Sequence, residues 1–221
     1  MVKNLKTRYL VPEKVNRFWV IYFMVGVAGL TFPLTRSFFR ELIGFSLVLA
    51  LGLMLYFHKP WNKPFIFASF IVAISGFLLE AWGVNTGTIF GHYNYGDALG
   101  PTFLDTPLLI GLNWWMLIYI VAQITENFKV PVGVRLILGS LIMVGYDVVM
   151  EPVATATGMW DWNAQPVPFQ NYLAWFIISF VFLSVFRIFK LRYNNPVAAV
   201  LLAAQTGFFV LLNIIEQFRG L

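Results

Sequence analysis

Four carboxylic acids stand near the ends of long apolar runs, where a hydrophobic chain has least reason to keep them: Glu80, Asp147, Glu151 and Glu216. Asp147 and Glu151 are four residues apart, so on a helix they share one face. Two acids on one face repel, and the usual outcome is that one keeps its proton at neutral pH. An ionisable side chain within a membrane helix is costly and faces the bundle interior or water. A protonated carboxyl in apolar surroundings can act as a general acid. Glu80 runs into a Gly- and Tyr-rich segment. Glu151 precedes Pro152, which is expected to stop the helix, and then Trp160 and Trp162. Trp82, Tyr93, Tyr95, Tyr172 and Trp175 crowd the same region. Aromatic faces stabilise cations, so this grouping suits chemistry that passes through a carbocation. Glu216, beside Gln217 and Arg219 near the chain end, reads better as a hydrated interfacial residue. Glu13 and Glu126 are expected to pair with nearby basic residues, and Glu41 with Arg40 at the surface. Asp97, Asp105 and Asp161 fall in loops.

The elements that must hold these groups follow from composition. The chain has 221 residues, 59% hydrophobic and 11% charged, whereas an average soluble domain is about 25% charged. That excludes an ordinary soluble domain, a disordered chain and a nucleic-acid binder. There is no cysteine, which excludes disulfides, thiolate metal sites and thiol nucleophiles. A membrane helix needs about 20 mostly apolar residues. Seven candidates run 18–32, 41–57, 65–82, 107–124, 134–150, 172–189 and 197–218. They are continuously apolar, so helices and not alternating strands are predicted. The first, with no small-residue cleavage site, reads as a retained helix.

With seven helices, 12 of the 15 basic residues fall on one side. They are Lys3, Lys6, Arg8, Lys14, Arg17, Lys59, Lys63, Lys129, Arg135, Arg187, Lys190 and Arg192; Arg36, Arg40 and Arg219 fall on the other. Positive charge marks the cytoplasmic face. The expectation is an all-α, polytopic membrane bundle of seven transmembrane helices, N-terminus cytoplasmic and C-terminus extracytoplasmic, in the cell (inner) membrane. It forms one integral-membrane domain over 1–221. Two extracytoplasmic loops, 83–106 and 152–171, contain no Lys or Arg and are rich in Gly, Pro, Trp, Tyr and Asn. Both are expected to pack over the bundle, where irregular backbone is tolerated if protein buries it.

The segment from Glu80-Ala-Trp-Gly to His92-Tyr-Asn-Tyr95, with Leu99-Gly-Pro101, Asp147 to Pro152, Gly158-Met-Trp-Asp-Trp162 and Pro168-Phe-Gln-Asn-Tyr-Leu-Ala-Trp175, resembles one known family. It is similar to the membrane carotenoid-biosynthesis family that includes the 1,2-hydratases of γ-carotene and bisanhydrobacterioruberin, over about residues 75–180. The resemblance implies a carotenoid hydratase, a lyase that adds water to the terminal C1=C2 double bond of an acyclic end group. It implies relatedness to the membrane lycopene cyclases, which also begin by protonating an alkene. The matching positions carry over as catalytic candidates Glu80, Asp147 and Glu151. Substrate-binding candidates are Trp82, His92, Tyr93, Tyr95, Trp160, Trp162, Asn171 and Trp175. The proton donor is expected to be Glu80 or Glu151, with Asp147 tuning it or positioning water; Asn171 or His92 could hold that water. No metal and no cofactor is required. The partners implied are a lipophilic carotenoid, water and membrane lipid, with association with other carotenoid enzymes left open.

Cyclisation, in which an internal double bond captures the cation, is the first rival. The chain has no Pro-x-Glu-Glu signature of the heterodimeric cyclases, which favours hydration. A retinal receptor would need a lysine in the last helix, and 197–218 contains none. A transporter would need acids along a path across the membrane, whereas these cluster at one end. A Mg²⁺-dependent prenyl transferase would need basic residues to receive a diphosphate, and both long loops lack them.

Overall fold

A computed structural model describes residues 10–163, 165–192 and 194–219, with side chains to residue 217. Lys3, Lys6 and Arg8 of the charge pattern, and the side chain of Arg219, lie outside the described residues. The helices are α1 (Pro12–Thr31), α2 (Pro33–Glu41), α3 (Ile43–Phe57), α4 (Lys63–Thr86), α5 (Leu109–Glu126), α6 (Val132–Thr157), α7 (Phe169–Ile188) and α8 (Ala198–Arg219). Four two-residue strands lie between them: β1 (Asn94–Tyr95), β2 (Thr102–Phe103), β3 (Thr106–Pro107) and β4 (Trp160–Asp161). The all-helical class agrees with the sequence reading.

Among the described residues, five helices, α4 to α8, are long and apolar enough to cross a membrane, or six spans if α2 and α3 count as one bent by 52°. Seven were expected. α1 has the length, but Glu13, Lys14, Asn16 and Arg17 occupy its first turns. The second expected span, 41–57, is met by α3 from Ile43 on, but a short helix precedes it. Phe32 leaves the helical conformation and Pro33 starts the short, polar α2, as its fixed φ and missing N–H suit a first turn. Glu41 therefore ends a helix instead of opening one. Arg40 does not pair with it; its Nε donates to the Thr157 carbonyl at 2.6 Å.

α5 is the hub. Its side chains from Trp114 to Val121 are buried without a break, and a helix that is apolar all round belongs inside. α4, α6, α7, α8 and α3 pack around it and turn Phe67, Phe70, Leu78, Leu141 and Ile177 outward, as lipid-facing surfaces do. Small residues set the crossing of α5 on α4. A Cβ on Gly111 of α5 would strike the Ala73 carbonyl and come within 2.8 Å of the Phe77 Cβ, both on α4. Close approach of this kind replaces the hydrophobic effect in lipid. Gly111→Ala is therefore expected to lose about 1–3 kcal/mol through overpacking. Gly133→Ala, with nothing within 4 Å, should be neutral or slightly stabilising. Thermal unfolding of the two variants in detergent separates them, and equal melting temperatures would contradict the crossing.

Pro152 does not stop α6. The helix runs on to Thr157 and ends at Gly158, whose φ of 71° is the left-handed conformation that suits glycine. The continuation buries Val153, Ala154 and Thr157. That packing offsets the one backbone hydrogen bond a proline removes. α4 likewise ends at a left-handed Gly87. Beyond these ends the two long connections clasp each other. β1 pairs antiparallel with β4, Tyr95 opposite Trp160 and Asn94 opposite Asp161. The Gly96 amide donates to the Met159 carbonyl at 2.9 Å. A Cβ at Gly96 would collide with the Gly158 carbonyl, so this clasp closes only with glycine there. Among the remaining acids, Glu126 pairs with Arg135 at 2.9 Å and Arg187 at 3.7 Å, and Glu216 with Arg36 at 3.5 Å.

Candidate active site

Glu80 lies three-quarters along α4 and is 4% exposed. Three donors converge on it. The Tyr93 hydroxyl donates to Oε2, the Tyr95 hydroxyl donates to the same oxygen at 2.8 Å, and Trp114 Nε1 donates to Oε1 at 2.7 Å. The β1–β4 clasp holds Tyr95, and Tyr93 directly before the strand, over the end of α4. Burial pushes both phenols well above their ordinary range, and the neighbouring Glu80 carboxylate adds to the shift. Both therefore stay protonated and keep donating.

Those shifts predict a pH dependence of stability. The folded chain keeps two protons that the unfolded chain releases near about pH 10. Stability from this pair is full below that pH and falls as pH rises above it. The double variant Tyr93→Phe, Tyr95→Phe should fall less steeply than the parent over about pH 10–12. Unfolding curves in that range check it, and equal slopes would contradict it.

Glu151, on the extended part of α6, is 3% exposed. Its Oε2 accepts from Trp160 Nε1 at 2.9 Å and Trp162 Nε1 at 2.8 Å. Its Oε1 has one long contact, from Asn171 Nδ2 at 3.4 Å. That same nitrogen donates to Asp147 Oδ2 at 2.7 Å. Asp147 is fully buried, and its Oδ1 has no hydrogen-bond partner. Asn171 thus joins the two acids of α6, which stack one turn apart as their spacing predicts.

Glu80 and Glu151 line one small chamber of about 20 Å³, walled also by Phe90, Tyr93, Tyr95, Asn113, Trp114, Trp160, Trp162, Asn171 and Trp175. The rings pack against one another, with centroid separations of 4.9 Å for Tyr93–Trp162 and 4.3 Å for Trp114–Trp175. α4 and α6 are not closely packed on each other; α5 and α7 stand between them. The two acids meet because the loops fold their donors inward. Asp147 does not line the chamber and sits behind Asn171. Trp82 is 62% exposed and outside the cluster. His92 is also exposed, beside Gly87. Neither reaches the chamber wall: Trp82 lies two residues past Glu80, about 200° around the helix and so on its far face, and His92, directly before the buried Tyr93, turns to the opposite, exposed side.

A second cavity adjoins the first. It is about 160 Å³, almost wholly apolar, and bounded by α1, α2, α3, α5, α6 and α8. Ile110, Asn113, Met150 and Trp160 belong to both walls. Sequence reasoning passed over Trp114 and Asn113, since a Trp and a single Asn in an apolar run read as core. It also passed over the apolar cavity, whose wall is assembled from six helices.

The profile of a family described as "Carotenoid biosynthesis protein" matches residues 18–221. The chain belongs to this family. Among curated proteins, the bisanhydrobacterioruberin hydratase of Haloarcula japonica is 30% identical over 116 residues, 49% of this chain and 40% of that protein. The chain thus covers well under two thirds of that relative. No solved structure matches. Membership in the carotenoid biosynthesis family bears out the resemblance read from the motifs. It also agrees with a chain built of apolar helices long enough to cross a membrane.

Proposed function

We propose that this family member adds water to the terminal C1=C2 double bond of an acyclic carotenoid end group, by acid catalysis. The observation that carries the reading is the pair of carboxyls, Glu80 and Glu151, in one aromatic chamber that shares four wall residues with an apolar cavity of about 160 Å³. An alkene is a weak base and needs a positioned acid in dry surroundings. Glu151 fills that role, because its Oε1 is the chamber oxygen least engaged by donors. Its proton forms the new C–H bond at C2, and the π electrons leave a tertiary cation at C1. Glu80, held by three donors as an acceptor, faces that charge together with the Tyr and Trp rings. The lone pair of a water molecule forms the C1–O bond. The oxonium proton returns to the Glu151 carboxylate, so that one alkene and one water become one tertiary alcohol.

Asp147, linked through Asn171, positions Glu151. The end group enters laterally through the apolar cavity while the polyene lies in the membrane. In this reading α1 serves as the first of seven spans. The basic loops then mark the cytoplasmic side, which puts the acids in the extracytoplasmic half of the inner membrane, with the loops 83–106 and 152–171 as a cover within one domain. The test is expression in a host that accumulates an acyclic or half-cyclised carotene, with pigments resolved by mass. Hydration adds one water mass. A product of unchanged mass with a new ring would overturn hydration in favour of a proton-initiated cyclase.

A further inference from the structure

The donors on the chamber wall can be followed one by one. The hydroxyls of Tyr93 and Tyr95 and the indole of Trp114 serve Glu80; the indoles of Trp160 and Trp162 serve Glu151. Asn171 Nδ2 is shared between Asp147 and Glu151. Asn113 is different. Its amide has no hydrogen-bond partner among the described residues, and it lines both the polar chamber and the apolar cavity. Trp175, the other wall donor without such a partner, lies against Trp114 and does not reach the apolar cavity. Asn113 directly precedes Trp114 on α5, and successive residues diverge by about 100° around a helix. One therefore serves the acid while the other faces the seam between the two spaces. The chamber, at about 20 Å³, has room for a single water, which needs about 10–15 Å³ and two to four polar partners.

We propose that the chamber is a binding site for one water molecule held at the seam by the Asn113 amide, and that Asn113 thereby decides what captures the cation. This rests on the acid-catalysed reading above and deepens it. Asn113 Nδ2 donates to one lone pair of the water, a chamber carboxylate takes one of its hydrogens, and the second lone pair is left facing C1. Without that donor, the cation closes onto an internal double bond and the ring cation then loses a proton to the carboxylate, or the first cation loses a neighbouring proton to it directly. Either route gives an isomer of unchanged mass. Asn113 is a positioning residue, acting through the water.

The experiment is pigment analysis of Asn113→Leu against the parent in a host that accumulates acyclic carotene. The ratio of hydrated to unchanged-mass products should fall about ten-fold or more, the value of one hydrogen bond to the nucleophile. Total carotene consumed should fall less than the ratio does. The pair Asn113→Thr and Asn113→Val, equal in shape and differing in a hydroxyl, covers the case in which leucine does not fold. Thr should keep a hydrated fraction about ten-fold above Val. A parent that makes hydrated product and an Asn113→Leu variant with the same ratio, or equal Thr and Val variants, would overturn the water site alone. A parent that makes no hydrated product would overturn the reaction itself, and the water site with it.

Discussion

Glu151→Gln should lower hydrated product by about 10²–10⁴-fold, the usual worth of a positioned general acid. Glutamine has nearly the same shape, and its carbonyl oxygen can still accept from Trp160 and Trp162, which now hold Oε2 at 2.9 and 2.8 Å. The protein should therefore accumulate and melt close to the parent while losing the transferable proton. Purified yield and melting temperature, measured beside product, separate chemistry from folding. A variant that folds and hydrates at the parental rate would remove Glu151 from the reaction.

Glu80→Leu should fail differently. Leucine removes the acceptor from Tyr93, Tyr95 and Trp114 together. A buried donor without a partner costs about 1–3 kcal/mol, and three of them approach the whole stability of a marginal fold. The expected result is loss of folded protein as well as product. Glu80→Gln, which keeps an acceptor oxygen, should recover much of the fold. Detergent-solubilised yield and unfolding temperature check the pair. A leucine variant as stable as the parent would show that the three donors do not depend on Glu80.

The contrast between these carboxyls explains why one chamber can hold both. Glu80 is fixed by two hydroxyls from the loop at β1 and an indole from α5. Glu151 keeps one oxygen lightly engaged. Two acids of one residue type thus have different hydrogen-bond surroundings, the kind of contrast that lets paired carboxyls take different roles. Asp147 is one step removed, with an unpartnered oxygen behind Asn171.

Much was legible beforehand for a physical reason. Long apolar runs have few other fates, so the helices α4 to α8 were visible from composition. Acids are rare enough in such runs to stand out individually, and the i, i+4 spacing of Asp147 and Glu151 needs only helical periodicity. The aromatic loops announced themselves by combining Gly, Trp and Tyr with no basic residue. Local rules failed where packing overrode them. Pro152 reads as a stop, yet α6 gains buried contacts by continuing. Residues 33–40 fell between two expected spans, yet Pro33 starts a separate short helix that bends into α3 by 52°.

Composition and periodicity determined that this chain is a helical membrane protein with a few acids worth explaining, because the cost of burying polar groups is a property of each residue alone. Which side chains meet was decided only by tertiary structure. The meeting of Glu80 with Glu151 depends on a two-residue strand pair and on α5 threading between α4 and α6. The exclusion of Trp82 and His92, the recruitment of Trp114 and the seam at Asn113 depend on the rotation of each element about its own axis. No local pattern encodes that rotation, because it is fixed by contacts between residues distant in the chain, such as Gly111 against Ala73 and Tyr95 opposite Trp160.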